Sequence, residues 1–331
     1  MRTKRFQNRL TAGRFTLPAS FLIAAACWVL ASVLLPAVEI QPDDYPLWKA
    51  FSDCCIPVWG NRLFTFVLYA LIGYFLILLN NRFAIIRMRA SVQTSVYFLL
   101  ASVCPALHTF YAGDLASAAF LAALFFLFDS YQRERSEGNL FHAFACIAMG
   151  SLLYPQLTLF VPVFWLGAYQ FQSLHLRSFF ASLVGWSVPY WFLLGHAYYY
   201  GEMELFFQPF RELASFGPVR FDFSLWEAVT LGYLLVLFIV SSMHCLVAGY
   251  EDKIQTRSYL QYLILLGFCC FVYIGLQPAQ VVHVLPMLLI SVSILAGHLF
   301  VLTQSRGFNL FFICAFVGLF LLFGFNVWML L

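Results

Sequence analysis

The chain has 331 residues, 63% of them hydrophobic and only 10% charged, with a net charge of +3. Soluble domains carry about 25% charged and about 45–50% apolar residues, so a soluble globule is excluded and no nucleic-acid partner is expected. One all-α polytopic membrane domain over residues 1–331 is the reading.

Residues 1–18, MRTKRFQNRLTAGRFTLP, are basic and lead into an apolar run, Leu17 to Val38. That run exceeds the roughly 7–15 residues of a signal-peptide core and lacks a small-x-small cleavage site, so an uncleaved first transmembrane helix is expected. A polar loop, Glu39 to Arg62, follows, with four carboxylates (Glu39, Asp43, Asp44, Asp53) and two cations (Lys49, Arg62). Leu47, Ala50, Phe51 and Cys54 fall on one helical face, and Pro46 and Trp48 suit a first turn and a headgroup layer. A short interfacial helix is therefore expected here. Asp43-Asp44 fits two roles. The pair is a base for an acceptor hydroxyl, or a ligand for a divalent metal that binds phosphate; alternatively one carboxylate caps the interfacial helix.

A bilayer core needs about 20 apolar residues per helix. On that basis eleven spans are expected, at 17–38, 63–80, 93–112, 115–132, 140–154, 156–172, 179–199, 225–248, 259–276, 281–302 and 308–331. The fifth and sixth form a short helical hairpin that turns at Tyr154-Pro155-Gln156. The loop from Gly201 to Ser224 carries a second interfacial stripe, Phe206, Phe210 and Leu213, opposite Glu204, Gln208, Arg211 and Glu212. With this span list, fourteen of the eighteen Lys and Arg fall on the side of the N-terminus, and only Lys49, Arg62, Arg211 and Arg220 on the other. The positive-inside rule then puts the N-terminus in the cytoplasm of a bacterial plasma membrane.

Polar groups on the outer side are the site candidates. Asp114 follows Gly113 at a helix start, where it is either an N-cap or, with His108 and Tyr111, part of a polar cavity. His283 opens the tenth span beside Gln277 and Gln280, within reach of an outer phosphate or simply hydrogen-bonded at the interface. Arg62, Arg211 and Arg220 either hold a phosphate or anchor the chain by snorkelling. Seven of the nine cysteines lie inside apolar runs as small hydrophobes, and Cys54-Cys55 are adjacent, which seldom meets disulfide geometry. No pair of histidines is spaced to bind metal on a helix, and no Walker A, GxSxG or HExxH occurs. Apart from His244 and His298, no ionisable group is expected deep in a span, which speaks against an ion-coupled transporter.

The segment Ala90 to Gln172 has a span ending at a proline turn (Pro105), then an acid opening the next span (Asp114). A charged loop (Arg133-Glu134-Arg135) follows, then a hairpin with Gly150 and Pro155. This order resembles the central helices of the GT-C class of membrane glycosyltransferases, and QVVHVLPMLLISVSILAG resembles a later helix of that class, with His283 where an Arg is more usual. The resemblance implies a GT-C-like fold and sugar transfer from a polyprenyl-phosphate donor, with Asp43-Asp44 at the position of the class's outer-loop acid. Folds host more than one chemistry, so a non-catalytic subunit or scaffold of an envelope-assembly or secretion complex is the second function class.

Overall fold

The computed structural model describes residues 13, 15–35, 45, 47–48, 57–86, 91–214, 221, 223–249, 252–303 and 305–331. Among them there is no strand, and twelve α-helices of ten residues or more follow one another. In chain order they are α1 (Thr16–Leu34), α2 (Val58–Phe83), α3 (Ser91–Ser102), α4 (Ala112–Asp129), α5 (Glu137–Leu153) and α6 (Val161–Gln170). The series continues with α7 (Leu176–Tyr200), α8 (Met203–Ala214), α9 (Leu225–Ala248), α10 (Ile254–Leu276), α11 (Val281–Leu302) and α12 (Arg306–Leu330). Eight of these, α1, α2, α4, α7, α9, α10, α11 and α12, are long and apolar enough to cross a membrane. The chain is thus an all-helical polytopic membrane protein.

The helix starts of α1, α3, α5, α7, α10 and α12 gather at one end of the bundle, called here the basic end. There Asp129 receives Arg82 at 3.2 Å and Arg133 at 2.9 Å. Three turns at the far end share one cause. Each begins with a proline that opens a short 3₁₀ segment: Pro105–His108, Pro155–Phe160 and Pro278–Gln280. A proline disfavours helical geometry in the residue before it, and Cys104, Tyr154 and Gln277 accordingly take ψ of 87°, 88° and 75°.

This corrects two expected spans. The third stops at Ser102, so α3 has only 12 residues, and the sixth is a 3₁₀ turn followed by the 10-residue α6. The fifth is longer than expected, 17 residues instead of 15. The remaining expected spans correspond to helices with ends shifted by a few residues.

Helix α11 is apolar all round, which marks a helix enclosed by others, and every residue of its apolar window is buried. It packs against α3, α4, α9 and α10. Between helices in lipid the attraction comes from close packing and interhelical hydrogen bonds rather than from expulsion of water. Asn326 of α12 shows the second term: its amide donates to the carbonyl of Val103 at 2.9 Å and to Thr230 of α9 at 3.1 Å.

Gly201 ends α7 with φ of +71°, and the N–H of Glu202 turns back to the carbonyl of Ala197 at 2.9 Å. This is the left-handed helix stop that glycine adopts without a Cβ penalty. The second expected interfacial stripe is a separate helix, α8, and not a continuation of α7. Phe206 and Phe210 face the end of α7, with Phe210 5.2 Å from the Tyr190 ring, while Arg211 pairs with Glu204 on the exposed side. Of the first interfacial helix only Leu47 and Trp48 are described, both helical. The seven cysteines in apolar runs are free thiols, and Cys54 and Cys55 lie outside the described residues.

Candidate functional site

The far end is organised by two adjacent residues in the first turn of α2. Asn61 accepts the N–H of Phe110 at 2.8 Å and so fixes the turn between α3 and α4. Arg62 donates to the carbonyls of Ser32 at 2.9 Å and Leu35 at 3.4 Å, and its own carbonyl accepts from the Trp28 indole at 3.2 Å. The last carbonyls of a helix lack partners inside it and carry partial negative charge, so a guanidinium is well placed at the end of α1.

Helix α1 packs along α3 and meets α2 at few points, chiefly the ring pairs Phe21–Phe66 at 5.4 Å and Trp28–Phe66 at 5.3 Å. On the far-end side of these rings the two helices enclose a cavity of about 650 Å³, lined by Trp28, Ser32, Trp59, Arg62, Leu63 and Phe66. Exposed Val29, Val33, Trp59 and Leu63 flank it, so it opens sideways, toward bilayer rather than toward the bundle. On the other side of the rings lies a second cavity of about 300 Å³, bordered by Pro18, Phe21, Tyr74, Ile77 and Phe98. The rings divide the two, and the larger cavity, lined mostly by apolar side chains, has the Arg62 guanidinium at its border.

Behind Trp28 the indole stacks on His108, with centroids 3.8 Å apart and planes 17° from parallel. His108 is buried, neither ring nitrogen makes a hydrogen bond, and the carbonyls of Ala101 and Ser102 lie alongside. Asp114 is completely buried. One carboxylate oxygen accepts the N–H of Tyr111, the N-cap residue of α4, at 2.8 Å, and the other accepts the Tyr69 hydroxyl at 2.9 Å. This corrects the expected N-cap role: Tyr111 is the N-cap residue, and Asp114, third in the helix, braces the helix start from inside while its second oxygen ties α4 to Tyr69 of α2.

His283 sits at the start of α11 in an aromatic cup. Tyr154 stacks on it at 5.3 Å, Tyr111 lies at 5.7 Å, and Tyr45 meets it edge-on at 6.2 Å. The Tyr45 hydroxyl donates to Gln280 at 3.4 Å. Next to this cup Gly113 touches the α11 backbone so closely that a Cβ there would stand 2.3 Å from the carbonyl oxygen of His283. His108 and Asp114 thus stand at the two ends of the turn between α3 and α4, His283 of α11 packs on that turn at Tyr111 and Gly113, and Arg62 lies toward α1. Arg211 is not among them, since it stands on the exposed face of α8. Asp43, Asp44 and Arg220 lie outside the described residues.

At the basic end the structure shows a group the sequence did not suggest. His298 of α11 is fully buried, with Nε2 3.0 Å from Asp252 and Nδ1 3.6 Å from the Cys245 sulfur. Asp252 reads as an ordinary loop acid between α9 and α10. The usable signal was His298 itself, because a histidine inside an apolar run needs a polar partner. Asp114 and Asp252 are both buried, yet one stands in the first turn of α4 and the other in the turn between α9 and α10, so neither lies deep in a span. Among the described residues no three His, Cys, Asp or Glu side chains are grouped to hold a metal ion. No family model, curated protein or solved structure matches the chain.

Proposed function

We propose that the chain is a GT-C-like glycosyltransferase that moves a sugar from a polyprenyl-phosphate donor at the outer face of a bacterial plasma membrane. The observation that carries this reading is the cavity of about 650 Å³ between α1 and α2, largely apolar, open to the side, and bordered by Arg62 at the far end. A phosphorylated lipid has the matching chemistry, a long hydrocarbon chain and one anionic head. In this reading the bundle crosses eleven times, with α3, α5 and α6 counted as short crossings. The basic end, with the N-terminus, is cytoplasmic, as the charge distribution requires.

An acceptor hydroxyl attacks the anomeric carbon of the bound sugar, and the bond from that carbon to the phosphate oxygen breaks. The phosphate keeps the electron pair and is held by Arg62, while Asp43 or Asp44 takes the hydroxyl proton. The experiment is rescue of the envelope glycan profile of a deletion strain. Asn replacements of Asp43 and Asp44 keep size and capping ability, so a structural role predicts a change of at most about 1 kcal/mol. Loss of a general base costs about 10²–10⁴-fold in rate. Full rescue by the double-Asn protein ends the assignment.

A second reading, a non-catalytic subunit of an envelope-assembly or secretion complex, is favoured by one observation. Arg62, Asp114 and His283 are each engaged in contacts between separate elements of the bundle. In that case the double-Asn protein rescues fully, and the chain co-purifies with its complex unchanged.

A further inference from the structure

Helix α1 packs along α3, while α12 rests on α9 and α3. Between α1 and α12 lies a cavity of about 150 Å³, lined by Ile23 of α1, Val96 and Leu99 of α3, and Phe312 and Phe316 of α12. A smaller pocket of about 20 Å³ adjoins it and shares Ile23, Leu99, Phe316 and Leu319. Ala19 and Phe320, which border the two, are exposed, so this site opens to the bilayer. It shares no lining residue with the cavity beside Arg62 and does not depend on the function proposed there.

Four side chains lining the larger cavity carry hydroxyls, and each donates to a backbone carbonyl. Thr16 bonds Gly13 at 3.1 Å, Ser20 bonds Thr16 at 2.8 Å, Ser95 bonds Ser91 at 2.8 Å, and Tyr233 bonds Ala315 at 2.8 Å. No donor is left for water, which needs two to four polar partners; an apolar cavity of about 150 Å³ stays dry and takes up hydrocarbon instead. The depth fits the same occupant. The two pockets run from Thr16 to Cys27 along α1 and from Phe312 to Phe323 along α12, about 16 Å in each helix. That is about half of a 30 Å hydrocarbon core, the depth of one leaflet.

Both helices start at the basic end. There the Arg306 side chain, at the first position of α12, is exposed and makes no hydrogen bond or ion pair among the described residues. By sequence, residues 1–14, which lead into α1, carry five Lys and Arg. Cations at such a place attract anionic lipid headgroups. We propose that the site between α1 and α12 binds one acyl chain of an anionic phospholipid from the leaflet at the basic end, with its phosphate toward Arg306. A helix of a second copy, about 10–12 Å across, is too wide for this space, and the polar, basic N-terminal residues are unsuited to an apolar lining.

The test is native mass spectrometry of the full chain released from nanodiscs of equal phosphatidylglycerol and phosphatidylcholine. Wild type is expected to retain one phosphatidylglycerol, and Arg306→Gln to lower its preference over phosphatidylcholine about fivefold. Ala315→Phe puts a phenyl ring into the cavity and is expected to abolish retention. Leu321→Phe, on the exposed side of α12, keeps it. A second measurement on wild type needs no variant to fold: phosphatidylglycerol with a diazirine on its acyl chain is expected to label residues 16–27 and 312–323. No retained lipid in wild type, equal retention of the two lipids, wild-type retention in Ala315→Phe, or labelling only outside those segments overturns the proposal. A wild-type dimer that Ala315→Phe splits overturns it in favour of self-association.

Discussion

Replacing Gly113 by alanine sets two physical effects against each other. Helix propensity alone favours alanine over glycine by about 0.8–1.0 kcal/mol in a helix interior. Packing opposes it, because the new Cβ would stand 2.3 Å from the carbonyl oxygen, 2.4 Å from the Cα and 2.7 Å from the carbonyl carbon of His283. All three are backbone atoms at the start of α11, so no side chain can swing aside, and α4 and α11 must separate by roughly 1 Å. Overpacking of this kind costs typically about 1–3 kcal/mol, and a backbone-on-backbone clash belongs at the upper end. Gly195→Ala in α7 is the control, since nothing lies within 4 Å of its Cβ position. Thermal unfolding in detergent, followed by a thiol-reactive dye, reads both. Gly113→Ala is expected to melt well below wild type, and Gly195→Ala at or above it. Equal melting temperatures for the two variants would refute the claimed contact between α4 and α11.

Asp252→Asn and His298→Gln each disturb a buried hydrogen bond between two distant elements, so each is expected to destabilise by about 1–3 kcal/mol. The double variant should cost clearly less than the two single values added, and strict additivity in a double-mutant cycle would show that the pair is not coupled. Tyr69→Phe removes one hydrogen bond to the buried Asp114 carboxylate, and the expected loss is about 1.5–3 kcal/mol in unfolding free energy; an unchanged denaturation midpoint contradicts that bond. Asp129→Asn, by contrast, touches ion pairs whose arginines are half-exposed at the bundle end, so the same assay should move by no more than about 1 kcal/mol. Cys54 and Cys55 report orientation: an impermeant maleimide added outside intact cells is expected to label them, and protection of both reverses the proposed topology.

The sequence by itself determined the class and most of the helices, because both depend on local quantities. A run such as 225–248 or 281–302 is apolar over a bilayer's length whatever surrounds it, and the corresponding helices appear there. One proline turn was equally legible: Pro155 marks the turn of the hairpin, and the structure has a turn there. That Asp114 stands at a helix start followed from its place after Gly113, although the N-cap residue is Tyr111 and Asp114 holds its N–H from the third helical position.

What the tertiary structure decided involves pairs distant in sequence. Hydropathy counts the residues from 93 to 112 as one span, yet Pro105 ends α3 early and turns the chain into the bundle. That turn puts His108 against Trp28 and the carboxylate of Asp114 against Tyr69, 45 residues away. Arg62 reads as a phosphate ligand or a membrane anchor. Only the packing of α2 beside α1 shows it bound to the carbonyls of Ser32 and Leu35 at the border of a cavity. The Asp252–His298 pair spans 46 residues, and no local pattern encodes such a contact. Periodicity reports which side of a helix is apolar, but in a membrane protein the lipid-facing and core-facing sides are apolar alike. Which polar residue meets which is therefore fixed by the arrangement of the helices, and the chemistry of the site with it.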